Sequence, residues 1–327
     1  MLLEPWMLRI DWRENTRPFL LVDLSTWPTE QAFAPLPPIP LLGIGDRSHP
    51  QAGRLDMLVE PPVKLEMLAF GIAKAPVAAT ALIQLLRATE EMPQRAALTA
   101  ESFAFAMLQG GAEHAAWRDL QSPRATLPPG LLHLVREGNT IDLLIDRPYA
   151  HNSIDRAMRD ALHEAFQLAV LDGSIAHIRL RGAGRCFSMG AELAEFGTMR
   201  DPAAAHMIRM LTLPALPLLE RCATLEVHVQ GACVGSGLEL AAFADRITAS
   251  PDAWFRLPEV GMGILPGAGG TVSIPRRIGR QRGALLMVSG KRLTARAALD
   301  WNLIDAIVDE DTANPGCPDA RRGKVGT

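Results

Sequence analysis

The chain has 327 residues, 48% of them apolar, with a formal net charge of −3 and a pI near 6.3. That is enough for one large domain or two ordinary ones with a full core, and the slightly acidic balance does not point to a nucleic-acid partner. Cys186, Cys222, Cys233 and Cys317 have neither metal-binding nor disulfide spacing, no apolar run reaches membrane-spanning length, and Glu4 and Pro5 come too early in "MLLEPWMLRIDWRE" for a signal peptide. Reduced thiols, no metal, no membrane and a cytoplasmic location are therefore expected.

In chain order, residues 18–24 and 38–44 look like short strands between proline-heavy loops. From about Leu65 to Leu120 the pattern is helical, rich in alanine, leucine and methionine and broken at Pro93. This stretch reads as packing helices without a catalytic constellation. "SPRATLPPG" (122–130) lacks periodicity and reads as a linker. "TIDLLID" (140–146) alternates like a half-buried strand. Ser153 is placed to cap a helix carrying Ile154, Met158, Leu162 and Phe166 at four-residue spacing, with Gly173 at its end. "AHIRLRGAG" (176–184) and "LEVHVQGAC" (225–233) are strands running into glycines, and "DRITAS" (245–250) is a short strand. Strands that feed glycine turns and helices imply an α/β layered fold with ligands at the strand ends. A weak internal echo links "RLDMLVEPP" (54–62) to "LIDAIVDED" (303–311).

Several glycine motifs fail their familiar patterns. "GAGRCF" (182–187) lacks the third glycine of a dinucleotide fingerprint, and "GILPGAGGT" (263–271) lacks the lysine of a phosphate loop. Val234 breaks a nucleophile elbow at Ser236. Singly, each loop reads as a tight turn. Together they suggest a different chemistry. Backbone N–H groups at helix starts point outward with the positive end of the dipole, and two of them hold an oxygen that becomes negative during a reaction. Glu239 follows one such turn within the apolar stretch "LELAAFA", where a lone acid is costly to bury. Glu259 in "RLPEVGMG" follows another.

At these residues the sequence resembles the crotonase family, the enoyl-CoA hydratase/isomerase superfamily, over about residues 132–311. The resemblance rests on "IDRPYAHNSID", "GAGRCFSMGAEL", "VQGACVGSGLEL", "FRLPEVGMGILPGAGGTVSIPRRIG" and "GKRLTARAALDWNLIDAIV", met in that order. It implies an α/β fold, a crotonase-like spiral of repeated ββα units, acting on acyl-CoA thioesters with no cofactor beyond the CoA of the substrate. By match of motif, the oxyanion donors are the N–H groups of Ala191 and Ser236, and the two acids are Glu239 as base and Glu259 as acid. Ala150, Met189, Gly190, Gly235 and Gly267 fall at substrate-binding positions. The implied activity is hydration of a 2-enoyl-CoA, with double-bond isomerisation and a non-catalytic subunit as alternatives. The implied assembly is a homo-oligomer, a trimer or a dimer of trimers.

The chain departs from the family's pattern at three places. A serine replaces the usual glycine at 236. Tyr149 and Ala194 stand where members often carry CoA-binding lysines. The core ends near Asp311, before "TANPGCPDARRGKVGT", where the family continues into a helical tail. Residues 55–121 themselves resemble such a tail, displaced to the front. The expected organisation is therefore an N-terminal, mainly helical accessory region (1–125), possibly a degenerate crotonase unit, a crotonase-like core (126–312) and a flexible segment (313–327).

Overall fold

The computed structural model describes residues 17–30, 36–122, 125 and 127–308. The segment 313–327 lies outside the described residues, as does part of the 122–130 linker. The described residues begin with a small parallel sheet of three strands, β1 (Leu20–Asp23), β2 (Leu41–Ile44) and β3 (Met57–Leu58). Four helices follow: α1 (Leu65–Lys74), α2 (Pro76–Thr89), α3 (Gln94–Gln109) and α4 (Ala112–Asp119). Pro76 opens α2, where a missing N–H costs nothing, and the Glu113 carboxylate accepts from the next two amides, Val77 and Ala78.

The second part opens with β4 (Leu131–Glu137), paired antiparallel with β5 (Thr140–Asp146). β4 is a strand that the sequence pattern did not give, because it is an exposed edge with no buried face to impose alternation. Helix α5 (Arg156–Leu171) buries Met158, Leu162 and Phe166 at the expected spacing. Its cap is Asp155, whose side chain accepts from Met158 N–H, and not Ser153. The Ser153 hydroxyl instead joins Arg147 and Glu192. Strand β6 (His177–Gly182), α6 (Pro202–Thr212), the short α7 (Ala215–Leu218) and β7 (Thr224–Val229) come next. Then β8 (Ala232–Val234) leads into α8 (Ser236–Ala241). β9 (Arg246–Ala249) and β10 (Trp254–Arg256) lead through a 3-10 turn at Glu259–Met262 to α9 (Gly270–Ile278) and α10 (Arg280–Ser289). β11 (Leu293–Thr294), α11 (Ala295–Asp300) and β12 (Ala306–Ile307) complete the described chain.

The order in the large sheet is β12-β9-β7-β6-β5-β4, and β8 and β10 sit with β11 in a second, smaller sheet. Each turn of the chain thus places one strand in the large sheet, the next in the small sheet, and then a helix: β7-β8-α8, then β9-β10-α9. This is the ββα spiral. The helices of the N-terminal part are not a separate body. Leu68, Ile72, Leu82, Ile83 and Leu86 share one apolar core with Ile274, Leu285, Leu286 and Met287 of α9 and α10.

The sequence echo has a structural counterpart. Asp56 exchanges bonds with Leu41: its N–H donates to the Leu41 carbonyl (3.0 Å), and its carboxylate accepts from Leu41 N–H (2.8 Å). Asp305 does the same with Ile247, at 2.8 and 2.6 Å. Three residues on, Val59 donates to Gly43 and Val308 to Ala249, each at 2.9 Å. Among the described residues no single helix is long and apolar enough to cross a membrane.

Candidate active site

Two glycine loops meet behind the small sheet. The first leaves β6 and runs through Phe187–Ala191; the second leaves β8 at Gly235. Ser188 N–H donates to Ala232 and Val234 N–H donates to Ser188, so backbone hydrogen bonds hold the loops side by side. Gly235 has φ of 50°, and a Cβ there would lie 2.7 Å from Glu259 Oε1 and 3.7 Å from the Gly190 Cα. Only glycine lets the carboxylate and the first loop come that close.

This arrangement leaves two backbone donors unused. Ile154 N–H donates to Gly190 and Glu192 N–H donates to Ile154, so the intervening Ala191 turns its own N–H to the other side. Ser236 is the first residue of α8, where an N–H has no partner within the helix. Neither N–H donates to any described group, and both residues line one cavity of about 380 Å³. Gly267 lines it too, with the Phe105 ring filling the place where a Cβ would stand.

Both predicted acids are buried beside that cavity. Glu239 N–H donates to the Gly235 carbonyl (2.9 Å), so Glu239 sits one helical turn behind the loop that touches Glu259. Its Oε2 accepts from the N–H groups of Ala268 (2.7 Å) and Gly270 (2.8 Å) at the start of α9. Burial pushes its pKa far up, and the charges of Glu259 and Glu101 push the same way; the two N–H donors pull against them. Glu259 is pushed up to about 8, chiefly by burial. Its Oε2 is buried with no hydrogen-bond partner, as is the Ser236 hydroxyl. Buried polar atoms normally find a partner, and these two lie by the second of the loops that carry the free amides.

Residues 136–314, over half of the chain, match the family described as enoyl-CoA hydratase/isomerase. A 2,3-dehydroadipyl-CoA hydratase of Escherichia coli (strain K12) is 31% identical over 176 residues, covering 54% of this chain and 68% of that protein. An enoyl-CoA isomerase/hydratase of Mycosarcoma maydis is 35% identical, covering 54% and 67%. The solved enoyl-CoA hydratase of Thermoplasma volcanium is 33% identical with a TM-score of 0.51, covering 56% of this chain and 73% of that one.

The chain belongs to the enoyl-CoA hydratase/isomerase family.

Of the expected site residues Ala191, Ser236 and Gly267 line the cavity; Ala150, Met189, Gly190, Gly235, Glu239 and Glu259 do not. Ala150 and Met189 lie on two loops joined where Met189 N–H donates to the His151 carbonyl. Tyr149, in place of the lysine frequent in the family, is exposed and donates its hydroxyl to the Pro128 and Pro129 carbonyls.

The residue missed in the sequence is Glu101 of α3, within a stretch read only as packing helices. It is fully buried and reaches the same helix start as Glu239. Its Oε1 accepts from Gly269 N–H (2.7 Å), and its Oε2 from Thr271 N–H (2.8 Å) and the Thr271 hydroxyl (2.6 Å). Four successive amides, 268 to 271, thus donate alternately to Glu239 and Glu101. Burial raises Glu101 to about 7 against the pull of these donors and of Arg209. In the sequence it is one acid in "ALTAESFAFAMLQ", between apolar residues at helical spacing, a pattern that a solvated acid on such a helix shares.

The oxyanion geometry is directly testable. Proline is tolerated at the first position of a helix but has no N–H. Ser236→Pro should lower kcat roughly 10²–10³-fold, as loss of one oxyanion donor does, while Ser236→Ala, which keeps the N–H, should stay close to wild type. Equal loss in both variants would mean that the hydroxyl, not the amide, carries the effect.

Proposed function

We propose that this chain hydrates a 2-enoyl-CoA thioester. The observation that carries the reading is a pair of unused N–H groups, Ala191 and Ser236, on one cavity, with two buried carboxylates packed just behind its wall: Glu239 accepts from the lining residue Ala268, and Glu259 lies against Gly235, next to Ser236. The thioester oxygen accepts from both N–H groups. Glu239, whose Oε2 is held by Ala268 and Gly270, uses its other oxygen to take a proton from water as that water adds to C3. Glu259 gives a proton to C2, and the enolate electrons form the new C–H bond. Burial favours the protonated form of both acids; in this reading Glu259 keeps its proton up to about 8, and the Ala268 and Gly270 donors favour the charged form that Glu239 needs as base. CoA enters as part of the substrate; no further cofactor takes part in this reading. The large apolar side chains Phe103, Met107, Met207 and Leu211, exposed on α3 and α6, support a homo-oligomer.

Incubation with a 2-enoyl and a 3-enoyl thioester, followed by mass analysis, tests the reaction. Hydration adds one water to the 2-enoyl substrate. Interconversion of the two without a mass change would favour the isomerase reading, for which Glu259, with its free oxygen, is a sufficient proton carrier.

A further inference from the structure

The cavity is apolar over most of its wall, yet it holds charged side chains. Among the described residues nearly all of these are matched. Asp155 and Glu192 flank the buried Arg147, at 3.5 and 2.7 Å. Glu195 lies 3.8 Å from Arg156, and Arg159 pairs with Asp160 at 2.7 Å. Arg209 of α6 is the exception. No carboxylate lies within ion-pair distance of it, and its described hydrogen bonds all come from one nitrogen, to the Ser102 carbonyl (3.4 Å) and hydroxyl (3.1 Å). The guanidinium plane is held 4.3 Å from the centre of the Phe105 ring. Glu101 and Glu239 act on Arg209 only at longer range, and their bonded oxygens are taken up by the start of α9. One positive charge therefore lines the cavity with no carboxylate of the described residues at ion-pair distance.

A second polar group lines the same cavity. Gln109 lines the same cavity, on the same face of α3 as Ser102 and Phe105, and its side-chain oxygen is buried without a partner. The two ends of an amide exchange by a simple flip, so this group can present N–H as readily as oxygen. A plain hydrocarbon chain would leave both Arg209 and Gln109 unmatched in a desolvated space, which is costly. A carboxylate would satisfy both, because the guanidinium fork fits two carboxylate oxygens at once.

We propose that the acyl group handled by this chain carries an anionic end, a carboxylate remote from the thioester, bound by Arg209 with Gln109 beside it. The proposal rests on the acyl-CoA reading above and adds the class of acyl group. It makes Arg209 a specificity residue, placed by Ser102 and Phe105 of the N-terminal helices.

The test uses the full chain and measures binding, so that it does not depend on turnover. Saturated thioesters are compared in matched pairs that differ only at the far end: glutaryl-CoA against valeryl-CoA, adipyl-CoA against hexanoyl-CoA, suberyl-CoA against octanoyl-CoA. For at least one pair the carboxylate-ended member should bind about tenfold or more tightly, the size expected for a charge-assisted contact. Arg209→Gln should abolish that preference and Arg209→Lys should keep part of it. Equal or tighter binding of the methyl-ended member in every pair, or a preference unchanged in Arg209→Gln, would overturn the proposal. Methyl-ended 2-enoyl thioesters that bind and are hydrated while carboxylate-ended ones are not would overturn it and leave the hydratase reading standing. Carboxylate-ended thioesters that bind without reacting would do the reverse. Failure of every thioester to bind would end both.

Discussion

Glu239→Gln and Glu259→Gln should each lower kcat for hydration by roughly 10²–10⁴-fold, the usual contribution of a positioned acid or base. Neither change removes much volume. In Glu239→Gln the side-chain carbonyl oxygen would still accept from the start of α9, so the effect falls on proton transfer. The pH dependence assigns the roles. Glu259 must carry a proton to deliver it, so activity should fall as pH rises through about 8. That alkaline limb should disappear from the residual activity of Glu259→Gln. Stability should also fall as pH rises, over a window that begins lower. The ordinary carboxyl value of 4.5 is raised to about 8 in the folded state, so between those values the folded protein keeps a proton that the unfolded chain has released. The contribution to stability is complete below the lower value and is lost as pH rises through the upper one. Glu259→Gln should therefore flatten the decline in stability across that window while lowering activity. Chemical denaturation below, within and above the window measures it. Near-wild-type turnover in either glutamine variant would reject that residue's role, and an unchanged stability profile in Glu259→Gln would reject the buried, protonated carboxyl.

The core of this site was legible because its chemistry depends on backbone. Positive φ at Gly190, Gly235 and Gly263, and the close approach at Gly267, impose glycine in the sequence wherever a loop must turn or touch another. Glu239 stood out because an acid inside "LELAAFA" demands a partner, and the structure supplies two amides. What was not legible follows from chain distance. Glu101 lies 168 residues from the amide it serves, and no local pattern tells a buried acid on one amphipathic helix from a solvated one. Ser153 and Asp155 both suit a helix start, and the choice fell to Asp155 because Ser153 was needed between Arg147 and Glu192. Likewise β4 is an edge hairpin strand with little core to write a pattern into its sequence. The echo of residues 54–62 in 303–311 was short enough to be chance as letters, but it repeats a hydrogen-bond pattern: an aspartate that closes the neighbouring strand with its own side chain, twice.

Removal of residues 1–125 should leave a core that is insoluble or inactive. The helices of that region are part of the same apolar core as α9 and α10, and they reach the site itself. Leu68, Ile72, Leu82, Ile83 and Leu86 would leave behind an uncovered face on α9 and α10. Each such side chain is worth about 1.5–3 kcal/mol when fully buried, so the loss is comparable to the whole net stability of an ordinary domain, and the exposed face would drive association. The chemistry would suffer separately. Without Glu101, the Gly269 and Thr271 amides lose their acceptor, and the helix start that holds Glu239 loses half of its anchoring. Without Phe105, the wall beside Gly267 opens to water. The two effects are separable in the full chain. Glu101→Gln keeps the packing and one acceptor oxygen, so it should fold, yet shift the pH profile that reports on Glu239. A fragment of residues 130–327 that is soluble and fully active would show that the helices are an accessory to the site. A Glu101→Gln variant with an unchanged pH profile and kcat would confine Glu101 to packing and leave the deletion to act through folding alone.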